Sequence, residues 1–139
     1  MTDFEIEEFI HLAYEAALEA LKYDEVPIGS IVVNEAKVVV GTGFNQTEKL
    51  KDPTAHAEIL AIKSAAEKIN DWRLDNHIIF STIEPCEMCM GAIIESRIKE
   101  VYFAAKNNKR KNEEKKIKST MIKNSDCQNL IKEFFKNLR

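Results

Sequence analysis

The sequence predicts an α/β fold with a mixed central sheet and helices on both of its faces. Three observations lead there: an amphipathic helical segment opens the chain, a β-branched hairpin follows it, and short apolar strands then alternate with helical segments. With 139 residues, 45% of them apolar, 31% charged, and only 4 Gly and 3 Pro, the chain can bury a real core and is not a disordered or low-complexity polymer. One domain covering 1–139 is expected.

Between Thr2 and about Tyr23 the apolar residues Ile6, Phe9, Ile10, Ala13, Ala17, Leu18 and Leu21 fall mostly three or four apart with acids between them, the pattern of a helix burying one stripe. Ile28 to Val33 and Lys37 to Gly41 are β-branched runs joined by Asn34-Glu35-Ala36, which reads as a hairpin. The polar stretch Asn45 to Lys51 leads to Asp52-Pro53-Thr54. A capping residue beside a proline predicts a helix start there, with the helix carrying Ala55 to Lys68. His77 to Thr82 is a strand. Pro85 marks a second helix start, through Cys86 to about Ser96, and Glu100 to Ala105 is another strand. Residues 106–118 are polar and irregular, with no structure assigned. Cys127 to Leu138 closes the chain as a helix with Leu130, Ile131, Phe134 and Phe135 on its buried side.

No apolar run approaches the roughly 18 residues that cross a bilayer, and the acidic start Met1-Thr2-Asp3-Phe4-Glu5 is unlike a secretion signal. A cytoplasmic protein is expected. A net charge of −3 and a pI near 5.7 argue against binding polyanions through overall charge. The charge is nonetheless divided: residues 1–25 hold eight acids against Lys22, while 106–118 holds seven bases against Glu113 and Glu114. A solvated loop is the plain reading of that basic segment, and phosphate contact is the functional one.

Cys86, Cys89 and Cys127 make a poor disulfide set in a chain without an export signal, and two of them form a Cys-x-x-Cys. Cysteines three apart on a helix share a face, and thiolates near a helix N-terminus are stabilised by unpaired N–H groups. Together with the imidazole of His56 in His56-Ala57-Glu58, these soft ligands select zinc. Three protein ligands leave the fourth tetrahedral position open for water, which separates a catalytic site from a structural one. Zinc brings the pKa of that water to about 7. Glu58, two residues from a ligand and on the side that does not ligate, is the carboxylate placed to move the proton.

His-x-Glu followed by Pro-Cys-x-x-Cys is a known signature of zinc nucleobase deaminases. The chain resembles that superfamily, and within it the bacterial tRNA adenosine deaminases. The likeness rests on Glu25-Val26-Pro27-Ile28-Gly29, Asn45, Asp52 to Glu58, Trp72-Arg73-Leu74, Glu84 to Ile93, Ser96-Arg97-Ile98, and the closing Cys127 and Phe134-Phe135. The resemblance implies a three-layer α/β/α cytidine-deaminase-like fold and one Zn2+ per subunit held by His56, Cys86 and Cys89. It implies Glu58 as the catalytic acid and base, and Asn45 hydrogen-bonded to the target base. The implied reaction is attack of zinc-activated hydroxide on adenine C6 of the wobble adenosine, giving inosine. A homodimer that binds the tRNA anticodon arm with its bases splayed out is implied as well, with no membrane and no physiological DNA substrate.

One segment departs from the pattern. Where relatives commonly carry a Gly and then an Arg-Asp pair after the strand, this chain reads Ala104-Ala105-Lys106-Asn107-Asn108. Asn107, a candidate substrate-binding residue, supplies no charge, which implies weaker reading of the 2′-OH and better tolerance of deoxyadenosine. Other readings stay open at this point. A structural zinc would need Cys127 or His77 as a fourth ligand, and a redox Cys-x-x-Cys would leave His56 and Glu58 idle. A deaminase of a free base such as guanine or cytosine would use the same metal and glutamate, and a non-enzymatic zinc RNA-binding module would need no turnover at all. His11 and His77 have no assigned role, and Met88, Met90 and Cys127 are expected in the core.

Overall fold

The computed structural model describes residues 1–108 and 117–138. Along the chain run α1 (Asp3–Leu21), β1 (Gly29–Val33), β2 (Val39–Phe44), the short α2 (Thr47–Leu50), α3 (Ala57–Ile69), β3 (Ile78–Ser81), α4 (Glu87–Glu95), β4 (Glu100–Phe103), β5 (Lys118–Met121) and α5 (Ser125–Asn137). The strands form one mixed sheet in the order β2-β1-β3-β4-β5. β1 is antiparallel to both β2 and β3, whereas β3, β4 and β5 run parallel.

Side-chain alternation along the strands sorts the core into two layers. Val32, Ile79, Val101 and Phe103 point to one face, where they meet Ala61 and Ala65 of α3 and Met90 and Ile93 of α4. Ile31, Val33, Ile78, Phe80 and Tyr102 point to the other, against Ile6 and Ile10 of α1 and Cys127 of α5. This is the three-layer α/β/α arrangement expected. Among the described residues, no helix is long and apolar enough to cross a membrane.

α1 starts at a capping box: the Thr2 hydroxyl accepts from the Glu5 N–H at 3.1 Å, and the Glu5 carboxylate accepts from the Thr2 N–H at 2.9 Å. The hairpin connection extends two residues past its expected end. Lys37 sits at φ 64 and Asn34 Oδ1 accepts from the Val38 N–H at 3.0 Å, so β2 begins only at Val39. β5, at the end of the unassigned segment 106–118, is a four-residue edge strand with no buried residue, too short and too polar for the sequence to announce it.

The helix expected from Asp52-Pro53-Thr54 starts later. Asp52 Oδ1 accepts from the Thr54 N–H and hydroxyl at 2.8 and 2.7 Å, closing an Asx turn in place of a helix cap. His56 becomes the N-cap of α3, with its carbonyl accepting from Leu60. Pro85 likewise precedes the first turn, and Cys86 is the N-cap of α4. Nor is α5 buried along its whole apolar stripe, because Phe135 is 49% exposed. Met88, expected in the core, is 39% exposed on α4, whereas Met90 and Cys127 are buried as anticipated.

Three glycines, Gly29, Gly41 and Gly43, let helices lie on the sheet at backbone distance. A Cβ at Gly29 would stand 2.1 Å from the Ala13 carbonyl oxygen of α1, and one at Gly43 would stand 2.3 Å from the Ala57 carbonyl oxygen in the first turn of α3. Backbone on both sides cannot move aside cheaply. Gly43→Ala is therefore expected to lower stability by about 1–3 kcal/mol and to weaken metal retention, since it displaces the helix start next to His56. Denaturant midpoints with and without added zinc check this, and equal midpoints in both conditions would refute it.

Candidate active site

The starts of α3 and α4 bring the three soft donors together. His56 and Cys86 hold extended backbone at the N-cap positions, and neither side chain is used to cap its own helix. His56 Nδ1 lies 3.6 Å from Cys86 Sγ and 3.5 Å from Cys89 Sγ, and the three donor atoms all fall within 4.8 Å of one another. For Zn–S near 2.3 Å and Zn–N of 2.0–2.1 Å, a tetrahedral ion places such N and S atoms about 3.5 Å apart. The donor set fits zinc in both chemistry and spacing.

Among the described residues no other three such groups gather, and no fourth protein donor joins this one. Cys127 packs on the opposite face of the sheet. The His77 ring is bonded through Nδ1 to the Asp75 carbonyl at 2.9 Å. Neither candidate for a closed structural site reaches the cluster.

The two thiols differ. Cys86 is drawn down to about 5, chiefly by its hydrogen bond with Cys89 and with help from the His56 ring, whereas Cys89 is pushed well up by sharing that bond and by burial. One thiolate is therefore poised before any ion arrives, with helix N-termini to stabilise it.

Glu58, in the first turn of α3, is 2% exposed. Its Oε1 is buried without a hydrogen-bond partner. Burial raises its carboxyl from an ordinary 4.5 to about 7, with the nearby Cys86 adding to the rise. A buried carboxyl left unpaired costs stability, and such groups concentrate where proton transfer is needed. Glu58 is not part of the ligand cluster.

Beside the cluster opens a cavity of about 670 Å3, large enough for a nucleobase and its sugar. His56, Asn45 and Asn107 all line it. Asn45 is 8% exposed and held at both ends of its amide: Oδ1 accepts from the Thr47 hydroxyl at 2.7 Å, and Nδ2 donates to the Val26 carbonyl at 3.3 Å. Asn107 donates through its backbone N–H to Glu84 Oε1 at 3.3 Å and through Nδ2 to the Glu84 carbonyl at 3.4 Å, which ties it to the loop leading into Pro85 and Cys86.

Other lining residues were not assigned to the site by the sequence. Ile131, Phe134, Phe135 and Leu138 of the last helix form a wall, although amphipathic spacing alone assigned that stripe to the core. Glu25 and Thr47 also line the cavity, the first within a motif to which no role had been attached. Of the basic segment, Lys106 reaches the cavity and Lys118 lies 3.8 Å from the Glu100 carboxylate. Its other bases, Lys109 to Lys116, lie outside the described residues.

Residues 4–105 match the cytidine and deoxycytidylate deaminase zinc-binding region. The tRNA-specific adenosine deaminase of Haemophilus influenzae is 42% identical over 103 residues, covering 74% of this chain and 60% of that protein. The tRNA-specific adenosine deaminase of Buchnera aphidicola subsp. Schizaphis graminum is 40% identical over 144 residues, covering 94% of each chain. A solved structure from work on A-to-I editing by tRNA:A34 deaminases at the wobble position superposes with a TM-score of 0.75 at 31% identity, covering 84% of this chain and 98% of that one.

The raised carboxyl has a consequence for the metal-free protein. A folded-state value near 7 lies above the 4.5 of an unperturbed carboxyl. The contribution of Glu58 to stability is therefore fully present below about pH 4.5 and is lost as pH rises through about 7, a loss on the order of 3 kcal/mol. In urea titrations with chelator, wild type minus Glu58→Gln should fall by that amount between about pH 4.5 and 8. A difference independent of pH would mean the carboxyl is not titrating in the buried site.

Proposed function

This chain belongs to the zinc-binding cytidine and deoxycytidylate deaminase family, and from that we infer that it hydrolyses the wobble adenosine of a tRNA anticodon loop to inosine. The observation that carries the reading is Glu58: a buried carboxyl with one oxygen unpartnered, poised near neutrality beside a His-Cys-Cys group whose His56 lines a cavity of nucleoside size. The relatives named for tRNA-specific adenosine deamination direct the choice of substrate.

A zinc ion held by His56, Cys86 and Cys89 would supply a water made acidic enough to react at neutral pH. Glu58 takes a proton from the attacking water and delivers it to adenine N1. It then carries the second proton to the departing amine, so that C6 gains oxygen and ammonia leaves. A carboxyl near pKa 7 suits both directions of transfer. The N-termini of α3 and α4 favour the negative charge that builds up between them.

Asn45 has two amide hydrogens, one of them spent on Val26. We assign the other to the target base. Asn107 is assigned to the substrate beside it, and Lys106 to a phosphate. A homodimer in the cytoplasm completes the reading, with half-exposed Met88 on α4 as apolar surface for a second copy to cover.

The test is inosine formation in a transcript of an arginine anticodon arm, read beside ammonia release from free guanine and cytosine. Wild-type protein is expected to make inosine and to leave the free bases alone. Glu58→Ala should lower turnover about a hundred- to ten-thousand-fold with zinc content unchanged. Ammonia from a free base without inosine would mean a different substrate, and RNA binding without turnover would mean a binding module. For Asn107, matched RNA and DNA hairpins decide: Asn107→Asp should raise the RNA-over-DNA rate ratio, and an unmoved ratio removes its role at the sugar.

A further inference from the structure

Glu25 is 1% exposed, lies against the cavity, and takes no part in the chemistry above. Each of its carboxylate oxygens accepts one backbone N–H, Oε1 from Glu48 at 3.1 Å and Oε2 from Lys49 at 2.7 Å. These are the second and third residues of α2, whose own N-cap residue, Gln46, supplies no side-chain bond. Four residues are far too few for a helix to persist by itself. A carboxylate from a distant stretch of chain holds its first turn together.

The stretch that carries Glu25 also grips Asn45. The Ile28 carbonyl accepts from the Asn45 backbone N–H at 3.0 Å, and the Val26 carbonyl accepts from its side-chain amide at 3.3 Å. Thr47, the first residue of α2, fixes the other end of that amide through its hydroxyl and N–H. One half of the grip on Asn45 therefore comes directly from residues 26 and 28, and the other half comes from α2, which stays in place through Glu25. Beyond Asn45 the Gln46 N–H donates to the Ala55 carbonyl at 3.0 Å, linking the same loop to the residue before His56.

We propose that Glu25 is a positioning residue for deamination: by clamping the first turn of α2 it holds Thr47, and through Thr47 it sets the direction in which the Asn45 amide meets the substrate base. This rests on the reading of Asn45 as the base contact. A carboxylate is required because both of its oxygens accept. A glutamine of the same shape keeps one bond and turns an NH2 toward the second N–H, while an alanine loses both and leaves two partly buried donors unpaired.

A double-mutant cycle on the zinc-loaded protein, with the anticodon-arm transcript as substrate, tests the assignment. Glu25→Gln is expected to lower kcat/KM about 10- to 100-fold, the loss of one hydrogen bond to a charged group. The loss should appear mainly in kcat, since a misdirected base still binds through its phosphates, with zinc per chain unchanged. In an Asn45→Ala background the same substitution should change kcat/KM less than about twofold, because its route of action is gone. Effects that multiply, or a Glu25→Gln enzyme equal to wild type, would overturn the role of Glu25 while leaving the substrate reading intact. An Asn45→Ala enzyme equal to wild type would overturn the base contact and this role with it. Amide exchange in the wild-type protein keeps the clamp testable even if the variants fail to fold. The Glu48 and Lys49 amides should exchange at least about tenfold more slowly than open loop amides, and free exchange at both would refute it.

Discussion

The structure depends on two helices starting at the same place. His56 and Cys86 occupy equivalent N-cap positions of α3 and α4, and each has an extended backbone that turns its side chain out of the helix. Neither side chain caps its own helix, which frees the imidazole and the sulfur to face each other at 3.6 Å. Cys89 follows one turn into α4 on the same face and closes the set. The two helix starts also place positive dipole ends beside the donors, which favours the Cys86 thiolate before any ion is present.

That geometry is maintained from beneath. Glycine at position 43 lets the first turn of α3 rest directly on β2, with its backbone where a side chain would otherwise be. The loop before α4 is tied to the end of β4, where the Glu84 N–H donates to the Ala105 carbonyl at 2.7 Å. Thr82, just past β3, bonds to Gly29 through both its hydroxyl and its backbone N–H. The residues nearest the chemistry thus sit on the ends of rigid elements, which is where a site needs its supports if donor positions are to hold to within a fraction of an ångström.

Under the proposed reading, Glu58 carries a cost in stability. The core around it offers Oε1 no partner, so the group stays neutral to a higher pH than an ordinary carboxyl and weakens the folded protein once ionised. A fold selected for stability alone would place an apolar residue there. A proton carrier needs a carboxyl whose two states lie close in energy at neutral pH, and burial with one oxygen unpartnered produces that balance.

The ligand set and the carboxylate were legible in the chain because they are local: His56 and Glu58 lie two residues apart, Cys86 and Cys89 three, and helical spacing alone puts each pair on one end of one element. The sheet with helices on both faces was legible for a similar reason, since hydrophobic periodicity records which way each segment faces. The start of α3 falls two residues later than expected because Asp52 has a competing local bond to Thr54, and propensity cannot rank a cap against an Asx turn. What only the tertiary structure decided was everything made between distant segments: that α5 walls the cavity with Phe134, that Asn107 is tied to Glu84, and that Glu25 closes on α2. Those contacts depend on where the sheet carries each segment in space. A hydrogen bond across more than twenty residues leaves no periodic trace in the sequence that makes it.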